Sequence, residues 1–215
     1  MSIDRQTLAP KIDHTVLGPP TTAEAVERAA QEAEEHGMNL CVPPCYVGQI
    51  RERYDTLPLV TVIGFPHGQQ TSSIKRQEAV AAWDAGADEL DVVMNVGRAR
   101  GGEWGRVREE LAELVASVPL PIKLIVEAAL LSPAELERAG EVAVEAEVAM
   151  LKTSTGFAAG GARRADVETL QQFLPVKASG GIGSYAEARE MLDAGATRIG
   201  ASAGVAILDG APAPQ

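Results

Sequence analysis

A chain of 215 residues, 46% hydrophobic and 23% charged, can bury one sizeable core and is too apolar to be a disordered polymer. Its 30 acidic residues outnumber 19 Lys and Arg, and the net charge of −11 sets it against nucleic acid and anionic membrane surfaces as partners. Cys41 and Cys45 make neither a disulfide framework nor a zinc site, the charged start MSIDRQTLAPKID is no signal peptide, and no run of about 18 apolar residues spans a membrane, so a cytoplasmic location is expected.

Along the chain, short Val- and Ile-rich runs alternate with longer amphipathic ones. Strands are predicted at Lys11–Val16, Met38–Val42, Leu59–Phe65, Glu89–Asn95, Ile122–Glu127, Val148–Thr153, Pro175–Ser179 and Arg198–Ser202. Helices are predicted between them, at Thr22–Glu35, Ser73–Asp84, Gly102–Ser117, Pro133–Ala146, Arg164–Phe173 and Tyr185–Asp193, from apolar spacings of three and four. Thr22, Ser132 and Ser184 read as N-caps, and Glu187 completes a capping box with Ser184. The corners HGMNL, AGADEL and AGATRI repeat one device, a Gly that ends a helix just before a strand. Strict alternation predicts a closed (β/α)₈ barrel over residues 1–208. An open doubly wound sheet is the competitor, but its first strand–helix turn usually carries a Gly-rich fingerprint and here reads LGPPTT. The last helix, AGVAIL, is short, so a partner subunit is a second way to cover the eighth strand. Residues 209–215 read as a disordered tail.

Barrel enzymes work at the carboxyl ends of their strands. There this chain delivers Asp13 and Thr15 from the first strand, Cys41 from the second, Asp91 and Asn95 from the fourth and Glu127 from the fifth. The sixth gives Lys152, Thr153 and Ser154, the seventh Lys177 and Ser179, and the eighth Ser202. The chain has five lysines, Lys11, Lys75, Lys123, Lys152 and Lys177, and the last two follow apolar residues on adjacent strands. Each alone would read as a side chain snorkelling past a strand end. Together they suggest two ammonium groups whose repulsion frees one as a neutral amine, the form that attacks a carbonyl to give a Schiff base. That chemistry makes and breaks carbon–carbon bonds without metal or organic cofactor. Asp91, inside an apolar run, is either a buried salt-bridge partner or the group that moves protons. Asp13 has the same two readings, and its neighbour His14 is expected on the opposite face. The loops KTSTG and KASGGIG, with Gly156, Gly180 and Gly181, and the strand end at Ser202, read as a phosphate cradle.

The segments IDHTVL, VIGFPHG, ADELDVVMNVG, LKTSTGF, VKASGGI and RIGASAGVAIL together resemble the deoxyribose-phosphate aldolase family, from about Lys11 to Leu208. The resemblance implies a class I aldolase that reversibly cleaves a small phosphorylated sugar, 2-deoxy-D-ribose 5-phosphate, to D-glyceraldehyde 3-phosphate and acetaldehyde. It implies that Lys152 forms the Schiff base, that Lys177 tunes its pKa and relays protons, that Asp91 donates and accepts protons, and that Asp13 meets substrate hydroxyls through water. The chain departs from the family pattern at Phe157 and Gly183, where basic residues occur, at Ala203, where a serine is usual, and at Ala128 and Ala129. Phosphate binding is thus left to backbone N–H groups and Ser202. Another Schiff-base aldolase and a non-enzymatic sugar-phosphate binder are the rival readings.

Overall fold

The computed structural model describes residues 3–214; positions 1, 2 and 215, at the outer edges of the expected domain and tail, lie outside it. Its strands are β1 (Ile12–Thr15), β2 (Asn39–Val42), β3 (Leu59–Ile63), β4 (Glu89–Val93), β5 (Ile122–Ile125), β6 (Met150–Lys152), β7 (Val176–Ser179) and β8 (Arg198–Ala201). All pair in parallel with their sequence neighbours, and β8 closes on β1. The (β/α)₈ expectation therefore holds, with each strand shorter than read; β2 and β7 lose only their first residue, and the others lose residues at the carboxyl end that form the site loops.

The helices are α1 (Arg5–Leu8), α2 (Ala23–His36), α3 (Val47–Arg51), α4 (Ser72–Asp84), α5 (Val96–Arg100), α6 (Trp104–Val115), α7 (Pro133–Glu145), α8 (Arg164–Leu170), α9 (Tyr185–Asp193) and α10 (Gly204–Asp209). None is long and apolar enough to cross a membrane. The principal core lies between the outer face of the sheet and these helices; α2, for example, turns Val26, Ala29, Ala30 and Ala33 inward. Thr22 caps α2, and a complete capping box forms at Ser132 and Glu135. At Ser184 the box is only half formed: the hydroxyl accepts from the Glu187 N–H, but the Glu187 carboxylate reaches back to Gly183 N–H instead.

The three Gly corners form as read, with φ of 71° at Gly37, 99° at Gly86 and 105° at Gly195. In each, the following N–H bonds back to a helix carbonyl five residues earlier, as from Met38 to Ala33. A fourth copy joins α7 to β6, where Val148 N–H bonds Ala143 O, but its left-handed position holds Glu147 at φ 59°. A side chain there costs about 1 kcal/mol. Because Glu147 is exposed, Glu147→Gly should stabilise the protein by about 0.5–1 kcal/mol after allowing for glycine's freer unfolded state, and raise Tm by about 2–3 °C. A melting curve shifted downward would show that the Glu147 side chain contributes more than its strain.

The expected loose tail is corrected at its start. Arg5 N–H bonds Pro212 O and its Nε bonds Leu208 O, its guanidinium pairs with Asp209, and Ala211 is buried. These contacts lock α10 against β1, with its own Ile207 and Leu208 fully buried.

Inside the barrel, Cys41, Val60 and Val62 form a small apolar cluster against which Leu17 and Phe65 pack, and Val93 and Ile125 are buried on the strand faces that carry Asp91 and Lys123. Asp13, Asp91, Lys123, Lys152 and Lys177 are also buried in the strands. Barrel interiors are usually packed with branched apolar residues. This one is charged.

Candidate active site

Strand register brings the ionisable groups together before side chains are considered. Lys152 is the partner of Lys177 across β6 and β7, and Asp91 is the partner of Lys123 across β4 and β5. The two site lysines then converge on one atom. Lys152 Nζ donates to Asp91 Oδ2 at 2.8 Å, and Lys177 Nζ donates to the same oxygen at 2.7 Å. Lys123 Nζ donates to the other oxygen, Oδ1, at 3.0 Å. Lys177 also forms an ion pair with Asp13 Oδ2 at 2.5 Å. Asp13 Oδ1 in turn accepts from Arg198 Nη1 at 2.7 Å and Asn39 Nδ2 at 3.0 Å. Gly200 leaves room for this arrangement, since a Cβ there would stand 2.8 Å from Lys177 Cε.

Burial alone would push both carboxyls toward the neutral acid. For Asp91 the charges of Lys123, Lys152 and Lys177 outweigh burial and hold it well below the usual carboxylate range. For Asp13, Lys177, Lys123 and Arg198 outweigh burial and bring it down to about 2. Burial works against the Lys177 ammonium too, but Asp13 and Asp91 overcome it and raise its pKa. This corrects the expectation of two bare ammonium groups repelling each other: a carboxylate oxygen stands between them, and Lys177 is held as a cation. Cys41 is pushed up by burial to about 11 and is a neutral thiol.

Above these groups opens a cavity of about 600 Å³ at the carboxyl ends of β1, β6, β7 and β8. Thr15, Lys152, Gly156, Gly180, Gly181 and Ser202 line it, as do Thr155, Phe157 and Ser179. Asp13, Cys41, Asp91 and Lys177 are not in its wall; all four are fully buried beneath it. Among the described residues, Lys152 is therefore the one lysine that both touches Asp91 and opens to a ligand.

Thr153 is not brought to the cavity. Alternation turns it away from Lys152, and its hydroxyl donates to Ser179 O and accepts from Ser179 N–H, both at 3.0 Å, tying β6 to β7. Thr155 takes the place expected of it. Its hydroxyl donates to the buried Glu127 carboxylate and accepts from Phe157 N–H, which fixes the KTSTG loop. Asn95 caps α5, and His14 faces outward to Glu32 of α2 at 2.8 Å. In the cradle, Gly180 and Gly181 take φ of 94° and 77°, conformations that only Gly adopts freely. Gly183 N–H is already bonded to the Glu187 carboxylate.

Sequence reasoning passed over Lys123, Asn39, Glu89 and Arg198. Lys123 carried the signal used for Lys152, a lysine within an apolar run. Arg198 and Glu89 open their strands, where a charged residue is ordinary.

The model of the DeoC/LacD family aldolases matches residues 7–209. A deoxyribose-phosphate aldolase of Natronomonas pharaonis is 57% identical over 97% of this chain and 96% of its own length. One from Thermus thermophilus is 44% identical over 94% and 96%. Among solved structures, the tetrameric deoxyribose phosphate aldolase of Aeropyrum pernix superposes with a TM-score of 0.89 at 33% identity, covering 96% of this chain and 91% of that one. The family model and these relatives match the chain across nearly its whole length, and the chain belongs to the DeoC/LacD family of aldolases.

Proposed function

We propose that the protein reversibly cleaves 2-deoxy-D-ribose 5-phosphate to D-glyceraldehyde 3-phosphate and acetaldehyde, with Lys152 as the Schiff-base lysine. The observation that carries this reading is geometric: Lys152 lines the cavity, and Lys177 lies behind it with a carboxylate on either side. The amine of Lys152 attacks the aldehyde carbon C1 of the open-chain sugar, and loss of water from the carbinolamine leaves an iminium. Removal of the C3 hydroxyl proton then lets the C2–C3 bond break. Its electron pair flows toward the iminium, releasing the aldehyde phosphate and an enamine. Protonation of the enamine at C2 and uptake of one water release acetaldehyde and restore the amine. Asp91 Oδ2, which touches both amines, is the atom through which these protons pass, and Lys177 is the nearest store. The glycines at 156, 180 and 181, with Ser202, take the phosphate. On the β1 side Thr15, in the cavity wall, orients substrate hydroxyls, and Asp13 acts from beneath it through Lys177.

The protein is further read as a cytoplasmic homo-oligomer. Free cysteines at 41 and 45 support the first part, and the tetramer formed by the Aeropyrum pernix relative supports the second.

Borohydride reduction in the presence of acetaldehyde tests the central assignment. It should add one ethyl group to the protein, at Lys152 on peptide mapping. An adduct on Lys177 or Lys75, or none at all, would overturn it.

A further inference from the structure

The charged groups inside the barrel form a closed circuit. Arg198 meets Asp13 at 2.7 Å, Asp13 meets Lys177 at 2.5 Å, Lys177 meets Asp91 at 2.7 Å, and Asp91 meets Lys123 at 3.0 Å. Lys123 meets Glu89, and Glu89 returns to Arg198 at 3.3 Å. Three cations alternate with three anions, so the ring is neutral. Lys152 is a fourth cation, attached at Asp91 Oδ2, which already serves Lys177. A buried cluster resists net charge. With Lys152 protonated the cluster carries +1, and with Lys152 as the free amine it carries none.

We infer that Arg198 and Glu89, which close the ring at the mouth opposite the cavity, are positioning residues that set the pH at which Lys152 is a free amine. Both open their strands at the amino-terminal end of the barrel, and neither lines the cavity. They act through Asp13 and Lys123, and no substrate atom touches them. The other titratable groups near Lys152 lie outside the ring and are the same in every variant below. Cys41 on β2 is a neutral thiol, Glu127 beyond β5 is engaged by Thr155, and His14 on β1 faces α2.

The inference rests on the Schiff-base reading, and one assay separates the two. Exchange of the α-hydrogens of acetaldehyde for solvent deuterium requires imine and enamine formation on Lys152. It involves no phosphate whose own titration would enter the profile. Glu89→Gln leaves the ring at +1, disfavours protonated Lys152, and should move the acid limb of exchange to lower pH by about one unit. Arg198→Gln leaves the ring at −1 and should move the limb to higher pH by about as much. The Glu89→Gln/Arg198→Gln double variant is neutral again and should restore the wild-type limb, and Arg198→Lys should keep it. A purely structural role would lower the rate in both single variants without opposite displacements.

Limbs that stay in place, or that move the same way in both single variants, overturn the inference and leave the Schiff-base reading intact. A wild-type protein that exchanges no deuterium overturns both. Either single variant decides the sign if the other does not fold. If neither folds, the double variant decides: a wild-type limb supports the neutral ring and a displaced one refutes it.

Discussion

Lys152→Ala is expected to lose turnover by at least about 10⁴-fold, the scale on which an enzyme loses a covalent nucleophile, while remaining folded. Among the described residues no other lysine lines the cavity, and Lys11 ends the turn that precedes β1. Lys177 and Lys123 have no surface in the cavity, and Lys75 lies outside the barrel wall, paired with Glu110 at 2.5 Å between α4 and α6. Stability should hardly change, for two reasons. Asp91 keeps Lys123 on one oxygen and Lys177 on the other, so no buried carboxylate is orphaned. The space vacated joins a cavity that is already open, so no sealed void forms in the core. Tm should therefore stay within about 3 °C of the wild type, equivalent to about 1 kcal/mol. Steady-state assay, thermal melting and borohydride trapping check the three parts together. Retained turnover would refute the assignment of Lys152. Lost turnover with a collapsed Tm would make it a structural residue.

The order of elements was legible because a period of two and a period of 3.6 alternate cleanly along the chain, with Gly at the corners. What escaped has identifiable physical causes. Helices α1, α3 and α5 run for four or five residues, too few to display a helical period. The APAP composition near the C-terminus reads as disorder, yet Ala211 is buried and Pro212 is bonded by Arg5, a contact between chain ends that no local pattern reveals. The site was half legible. Lysines are scarce, so two in apolar runs stood out, but the same test should have raised Lys123 between Ile122 and Leu124. Thr153 was credited for adjacency to Lys152 where alternation should have turned it away. The ring closure at Glu89 and Arg198 depends on which strands face each other across the barrel, and spacing along one chain carries no such information.

Lys177→Leu is the second substitution with a large expected effect, and it should strike activity and stability together. Among the described residues its Nζ is the one group that pairs with both Asp13 and Asp91, and it is fully buried. Leucine fills much of the volume but leaves two buried carboxylates facing each other with a cation fewer. Breaking a buried pair in this way costs about 3–5 kcal/mol, or roughly 10 °C in Tm. The pH dependence of that cost follows from the direction of the carboxyl shifts. Asp13 is lowered from 3.8 to about 2 and Asp91 well below 3.8, so both contribute stability that is fully present above about pH 4 and lost as pH falls through their folded values. The variant lacks the part of that contribution that comes from Lys177, the leading favourable charge on Asp13 and the third on Asp91. Its deficit relative to the wild type should therefore be greatest near neutrality and shrink steadily below about pH 4. Turnover at neutral pH should fall by at least about 100-fold, since the proton store beside Asp91 is gone and the ring, now at −1, favours the protonated form of Lys152. The acid limb should move upward with it. A Lys177→Leu enzyme with the wild-type pH–rate profile, or with a stability deficit unchanged between pH 7 and about pH 3, would mean that Lys177 serves only to fill space between the strands.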